Sequence, residues 1–122
     1  MENKISSYKD LIVWQKSNDV VLEIYKITRQ LPNSELYGLI SQSQRASVAI
    51  PSNIAEGYTR NHRKEFVQFL GIAFGSAAEL DTQILLMEKL YPNSDYKKVK
   101  DLLLEVQKML ITMIKKLKDS SN

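Results

Sequence analysis

The sequence predicts an all-α protein, an up-down-up-down antiparallel four-helix bundle, and three observations predict it. Apolar residues recur at helical spacing along four stretches. Short breaks containing proline, asparagine, serine or glycine separate those stretches. Four glycines and three prolines in 122 residues leave little material for the turns of a β-protein. Connections this short force neighbouring helices antiparallel.

The first helix is expected over about 8–31, where Val13, Ser17, Val20, Ile24, Ile27 and Leu31 form one stripe at spacings of 4, 3, 4, 3 and 4. Pro32-Asn33-Ser34 ends it, and Asn33 or Ser34 caps the next helix. The second, over about 34–57, carries Leu36, Ile40, Ser43, Ser47, Ile50 and Ile54 on one face. Pro51 lies inside it, so a kink is expected there. The third spans about 61–91 and closes at Pro92-Asn93-Ser94. The fourth, about 94–118, shows Val99, Leu102, Val106, Leu110, Met113 and Leu117. No internal repeat, linker or low-complexity tract interrupts residues 1–122, which read as a single domain.

The third helix is more apolar than one core requires. Between residues 66 and 86 only Glu79 and Asp81 are charged. Phe66, Leu70, Ala73, Ala77, Leu80 and Ile84 make the core stripe. Gly71, Gly75, Ala78 and Thr82 form a second stripe roughly opposite, with Ile72 and Leu86 close by. A helix apolar most of the way round is buried on more than one side. Small residues let another backbone approach, although each glycine costs about 1 kcal/mol of helix propensity. The second stripe is therefore expected to be an oligomer interface. The competing reading, a bulky neighbour within the same chain, is weaker because the core stripe is complete without it.

A formal charge of +3 and a pI near 9.1 permit a polyanionic partner without requiring one. The absence of cysteine excludes disulfide and thiolate chemistry and agrees with a reducing compartment. Residues 1–7 lack the apolar run of a signal peptide. The longest uncharged stretch, 66–78, is shorter than the roughly 20 residues of a membrane span. The expected address is the cytoplasm, with no membrane partner.

Bundles of this size often hold metals, but a di-iron or zinc site needs several converging carboxylates, histidines or cysteines. His62 is the one histidine and falls at a helix start. No phosphate loop or nucleophile motif is present either. The chain is thus expected to be no enzyme, with no catalytic residue, metal or cofactor. Arg45, Ser52 and Glu56, at spacings of 7 and 4, stack along one side of the second helix, and Glu79 falls in the least polar part of the third. These four are expected to form a buried polar seam, with Arg45 paired to Glu56, to Glu79 or to both. Trp14, Tyr25 and Tyr37 read as core or interface aromatics.

The run Arg60-Asn61-His62-Arg63-Lys64 places three cations at a helix start, where the backbone is already electropositive unless an anion or Glu65 compensates. Antiparallel topology brings Lys4 and Lys9 and the last turns of the fourth helix, Lys115, Lys116 and Lys118, to the same end. Eight cations there face Glu2, Asp10, Glu56, Glu65 and Asp119, a net of about +3. Phosphate is the anion such an end would accept, with Arg60, Arg63, Lys64, Lys115, Lys116 and Lys118 as the nucleic-acid-binding candidates. A solvated charged rim is the equally open alternative.

Particular strings carry a family resemblance. Tyr8-Lys9-Asp10-Leu11 through Trp14-Gln15-Lys16, Tyr37-Gly38-Leu39, Gln44-Arg45-Ala46 and Ile50-Pro51-Ser52-Asn53-Ile54-Ala55-Glu56-Gly57 match it in the first half. Glu65-Phe66, Phe69-Leu70, Ala73, Gly75-Ser76 and Glu79-Leu80 match it in the third helix. Over nearly its whole length the chain resembles four-helix-bundle proteins of the 23S rRNA-intervening sequence (S23 ribosomal protein) family. That family is in turn similar to the accessory variability determinant of diversity-generating retroelements. The resemblance implies a homopentameric ring with a basic surface for nucleic acid, and relatives that engage a reverse transcriptase. The function expected is a non-catalytic oligomeric accessory protein that binds nucleic acid, with RNA favoured over DNA on the resemblance alone. The alternative is a protein–protein adaptor with no nucleic-acid role.

Overall fold

The computed structural model describes residues 7–120. Four helices carry the fold: α1 (Ile12–Thr28), α2 (Ser41–Thr59), α3 (Arg63–Leu90) and α4 (Lys97–Asp119). No strand occurs among the described residues.

Local hydrogen bonds explain why the helices start and stop where they do. Tyr8–Asp10 forms one 3₁₀ turn, closed because the Ser7 hydroxyl accepts from the Lys9 N–H and the Asp10 carboxylate accepts from the Ser7 N–H. Leu11 then turns extended (φ −73°, ψ 125°) and buries its side chain, so α1 begins at Ile12 rather than near residue 8. At the other end the Thr28 hydroxyl bonds back to the Ile24 and Tyr25 carbonyls, and the helix closes three residues short of Leu31.

The approach to α2 differs more from expectation. Asn33–Glu35 is a 3₁₀ turn and Leu36–Ile40 a π turn, broken at Gly38 (φ −111°, ψ −112°). Glu35 organises this turn by accepting from the Leu39 N–H at 3.4 Å and from the Tyr91 hydroxyl at 2.6 Å. Leu36, expected inside, is exposed as a result. The irregular backbone therefore lies at Gly38, whereas α2 passes through Pro51 as one helix with the cost of one missing donor. Asn61 takes the left-handed conformation (φ 54°) that ends α2, a position asparagine tolerates.

Contacts at several depths give the helix directions. Lys16 pairs with Glu105 and Glu23 with Lys98, so α1 and α4 run antiparallel. Arg63 reaches Ser120 while Glu88 reaches Lys100, and α3 and α4 do likewise. Helices α2 and α3 make the most extensive contact, with Gly57 packed against Phe66 and Phe69. The core between all four contains Val20, Ile24, Ile50, Ile54, Leu70, Leu80, Ile84, Val99 and Leu110. In α4 Val99, Val106 and Leu110 are buried as expected, but between them Leu103 is buried and Leu102 only half-buried. Helix α3 is long and apolar enough to cross a membrane by length and hydropathy alone, but Leu70, Ala73, Ala77, Leu80, Ile84 and Met87 are buried in the bundle.

Three groups at the α3–α4 junction titrate above their ordinary values. The hydrogen bond to Glu35 holds Tyr91 up, burial holds Tyr96 up, and the hydrogen bond to Asp101 holds Lys97 up. Raised values in the folded state mean that the stability they contribute is complete below about pH 10 and is lost as pH rises through the folded values. In an alkaline titration followed at 295 nm, two of the six phenols are expected to ionise late. Tyr91→Phe should remove one of the two. Six phenols ionising together near pH 10 would contradict the hydrogen bond to Glu35.

Candidate nucleic-acid interface

The cationic end is built by the α2–α3 corner and the last turns of α4. Arg60 closes α2, and Arg63 and Lys64 open α3. The Arg63 guanidinium donates to the Ser120 carbonyl at 3.1 Å, which ties the start of α3 to the end of α4. Lys115, Lys116 and Lys118 are all exposed on those final turns. Seven cations (Lys9 included) face Asp10, Glu56, Glu65 and Asp119 here, still a net of +3. Glu2 and Lys4 lie outside the described residues.

These cations are not equivalent. Arg60 pairs with Glu56 at 2.9 Å and with Glu65 at 3.5 Å, and stacks 5.1 Å from the Phe69 ring centre. The anion that the helix start required is thus provided within the chain, and Arg60 is committed in part to the corner. Arg63 is partly committed to its carbonyl. Lys64, Lys115 and Lys116 are exposed and make no ion pair among the described residues. Lysines at the end of α4 also offset that helix's dipole, an effect of about 0.3–1 kcal/mol. A cleft of about 410 Å³ opens beside them, lined by Tyr58, His62, Arg63, Phe66 and Leu117. Tyr58 and Phe66 meet edge to face at its wall.

The expected polar seam is not buried within one chain. Arg45, Ser52, Glu56 and Glu79 are all exposed, and the Glu56 partner is Arg60. Arg45 and Glu79 line one pocket of about 470 Å³ with Tyr37, Ser41, Gln42 and Ala49, but form no ion pair there. The reason is helical phase. Ser43, Ala46, Ser47, Ile50 and Ile54 take the inner side of α2, which turns position 45 outward. Arg45→Ala strands no buried carboxylate in the single chain, so the cost of about 3–5 kcal/mol that breaking a buried ion pair carries does not apply there.

Gly71, Gly75, Ala78 and Thr82 lie together on the exposed side of α3. A Cβ placed on Gly71 or Gly75 would meet nothing within 4 Å, so no neighbour in the same chain requires these glycines. Ile72, Leu86 and Leu90 of α3 and Val48 of α2 are also left about half exposed, and Tyr37 is 89% exposed. The sequence reading missed Val48 and Leu90, and only the phase of α2 would have revealed Val48. Trp14 is half-buried against Tyr8, while Tyr25 is exposed at 38%. Among the described residues no group of three or more His, Cys, Asp or Glu could hold a metal ion.

Fold and surface define a four-helix bundle with one cationic end and one bare apolar flank. The chain belongs to the 23S rRNA-intervening sequence protein family, whose model matches residues 9–112. Its fold is also that of a crystal structure from Bacteroides thetaiotaomicron, a protein of unknown function from the S23 ribosomal protein family. The two are 25% identical with a TM-score of 0.76, over 85% of this chain and 99% of that one. No curated protein matches the chain.

Proposed function

We propose that this chain is a non-catalytic, self-assembling accessory protein that holds nucleic acid, RNA in the first place, by its phosphate backbone. The observation that supports the reading is the set of exposed lysines Lys64, Lys115 and Lys116, without an ion pair among the described residues, on one end of net charge +3. Such groups neutralise phosphates and position a strand without reading its bases. Each subunit of an assembly would repeat the patch, so weak contacts would add through avidity.

Binding of a single-stranded RNA, measured by anisotropy across a salt series, tests this. Each phosphate neutralised contributes about 0.7 to the salt slope on a single strand. Replacing Lys64, Lys115 and Lys116 with alanine should therefore lower the slope by about 2 and leave helix content unchanged. Arg60→Ala should weaken the corner more than the binding. If wild type binds neither RNA nor DNA at low salt, the adaptor reading replaces this one, and the bare apolar flank becomes its contact surface.

A further inference from the structure

We infer that the cleft between the α2–α3 corner and the end of α4 receives one unstacked nucleobase of a single strand. The inference deepens the phosphate-binding reading above and rests on it. The cleft has about 410 Å³, within the range of sites that hold small molecules. Three kinds of contact meet there. Its wall is aromatic, because Tyr58 and Phe66 are half-buried in it, with ring centres 5.9 Å apart and planes at 87°. An edge-to-face pair covers a single ring face and leaves ring surface on which a base can stack. Its donor is held in place: Arg63 and Ser120 both line the cleft and are joined at 3.1 Å, and a guanidinium has more N–H groups than that bond uses. Its approaches are cationic, since Lys64 follows Arg63 on α3 and Lys116 precedes Leu117 on α4, both lysines exposed.

The combination selects the occupant. A free phosphate would use the cations but not the aromatic wall. An apolar chain would use the wall and Leu117 but cover the Arg63 donors without a partner. A base inside a duplex keeps its faces against its neighbours and cannot reach the rings. A base in a single strand offers a π face to Tyr58 and Phe66, polar edges to Arg63, Asn61 and His62, and a phosphate on either side to Lys64 and Lys116. Charge singles out this cleft as well. No carboxylate lines it among the described residues, whereas four other clefts of similar volume each have an aspartate or glutamate in the wall. Glu56 and Glu65, next in sequence to cleft residues, are held by Arg60, and Asp119 stays outside the wall.

A strand without bases tests the inference on the unaltered full chain. Anisotropy compares a short single-stranded oligouridylate with the same ribose-phosphate chain lacking its bases. One base stacked on an aromatic ring changes affinity about tenfold, so oligouridylate should bind about tenfold tighter or more. The two salt slopes should match, because the phosphates engaged are the same. Phe66→Leu should remove most of the difference between the strands while circular dichroism and the affinity for the base-free chain stay unchanged. Tyr58→Leu, on the other ring, is the second variant and should act alike. Equal affinities for the two strands overturn the base subsite and leave the phosphate reading standing. A difference that both variants leave whole also overturns it, because the base is then held elsewhere. If neither strand binds at low salt, the phosphate reading fails and the subsite fails with it.

Discussion

Gly57→Ala is expected to destabilise the bundle by a net of up to about 2 kcal/mol, although alanine is the better helix former. Two effects oppose each other. Helix propensity favours alanine over glycine by about 1 kcal/mol. Against it, the new Cβ would lie 2.6 Å from the Phe69 Cβ and 3.1 Å from the Phe66 Cδ1. The first of these is anchored to the α3 backbone and cannot swing away, so α2 and α3 must separate at that contact. Overpacking of this kind costs about 1–3 kcal/mol or more. Strain therefore wins. Gly71→Ala is the matched comparison at protein concentrations low enough to keep the chain single, because there its Cβ meets nothing within 4 Å and the propensity term stands alone. Urea midpoints should fall for Gly57→Ala and rise for Gly71→Ala, with unchanged slopes. Equal midpoints would mean that the close approach at Gly57 relaxes without cost.

The contrast between these glycines shows what periodicity reveals and what it leaves out. Helical spacing located four helices and the inner stripes of α1 and α3 correctly, because burial against one core imposes a 3.6-residue repeat. It also separated Gly71 and Gly75 from that core. Spacing does not record side-chain hydrogen bonds that redirect the backbone. The Ser7–Asp10 box and the Glu35 carboxylate each convert an expected first turn of helix into a 3₁₀ or π turn. Nor does it fix the partner of a charge. Arg45, Ser52 and Glu56 share a side of α2 as their spacing required, but the absolute phase of that side depends on Ser43 and Ser47 being buried. Serine gives a weak inward signal, so the outward turn of Arg45 was not legible. At the cationic end, sequence brought Arg60, Arg63, Lys64, Lys115, Lys116 and Lys118 to one end of the bundle but did not distinguish Arg60 from the lysines. Its Glu56 lies four positions before it, a helical pair visible in retrospect.

Leu80→Ala and Leu86→Ala, six residues apart on one helix, are expected to behave as mutations in two different structures. Leu80 is fully buried, and truncating it leaves a cavity between four helices. Such losses cost about 2–5 kcal/mol, much of the total stability of a domain this size. Leu86 is half exposed in the single chain, where removing its atoms should change stability by no more than about 0.5 kcal/mol. In an assembly the same atoms are shielded by a second copy. Association stabilises the folded form by mass action, so the effect of Leu86→Ala should grow with protein concentration. Thermal unfolding at two concentrations, about a hundredfold apart, separates the cases. Leu80→Ala should lower the midpoint by a similar amount at both. Leu86→Ala should match wild type when dilute and fall below it when concentrated. If both variants lose the same stability at both concentrations, α3 has only one buried side, and the apolar flank does not hold a second copy.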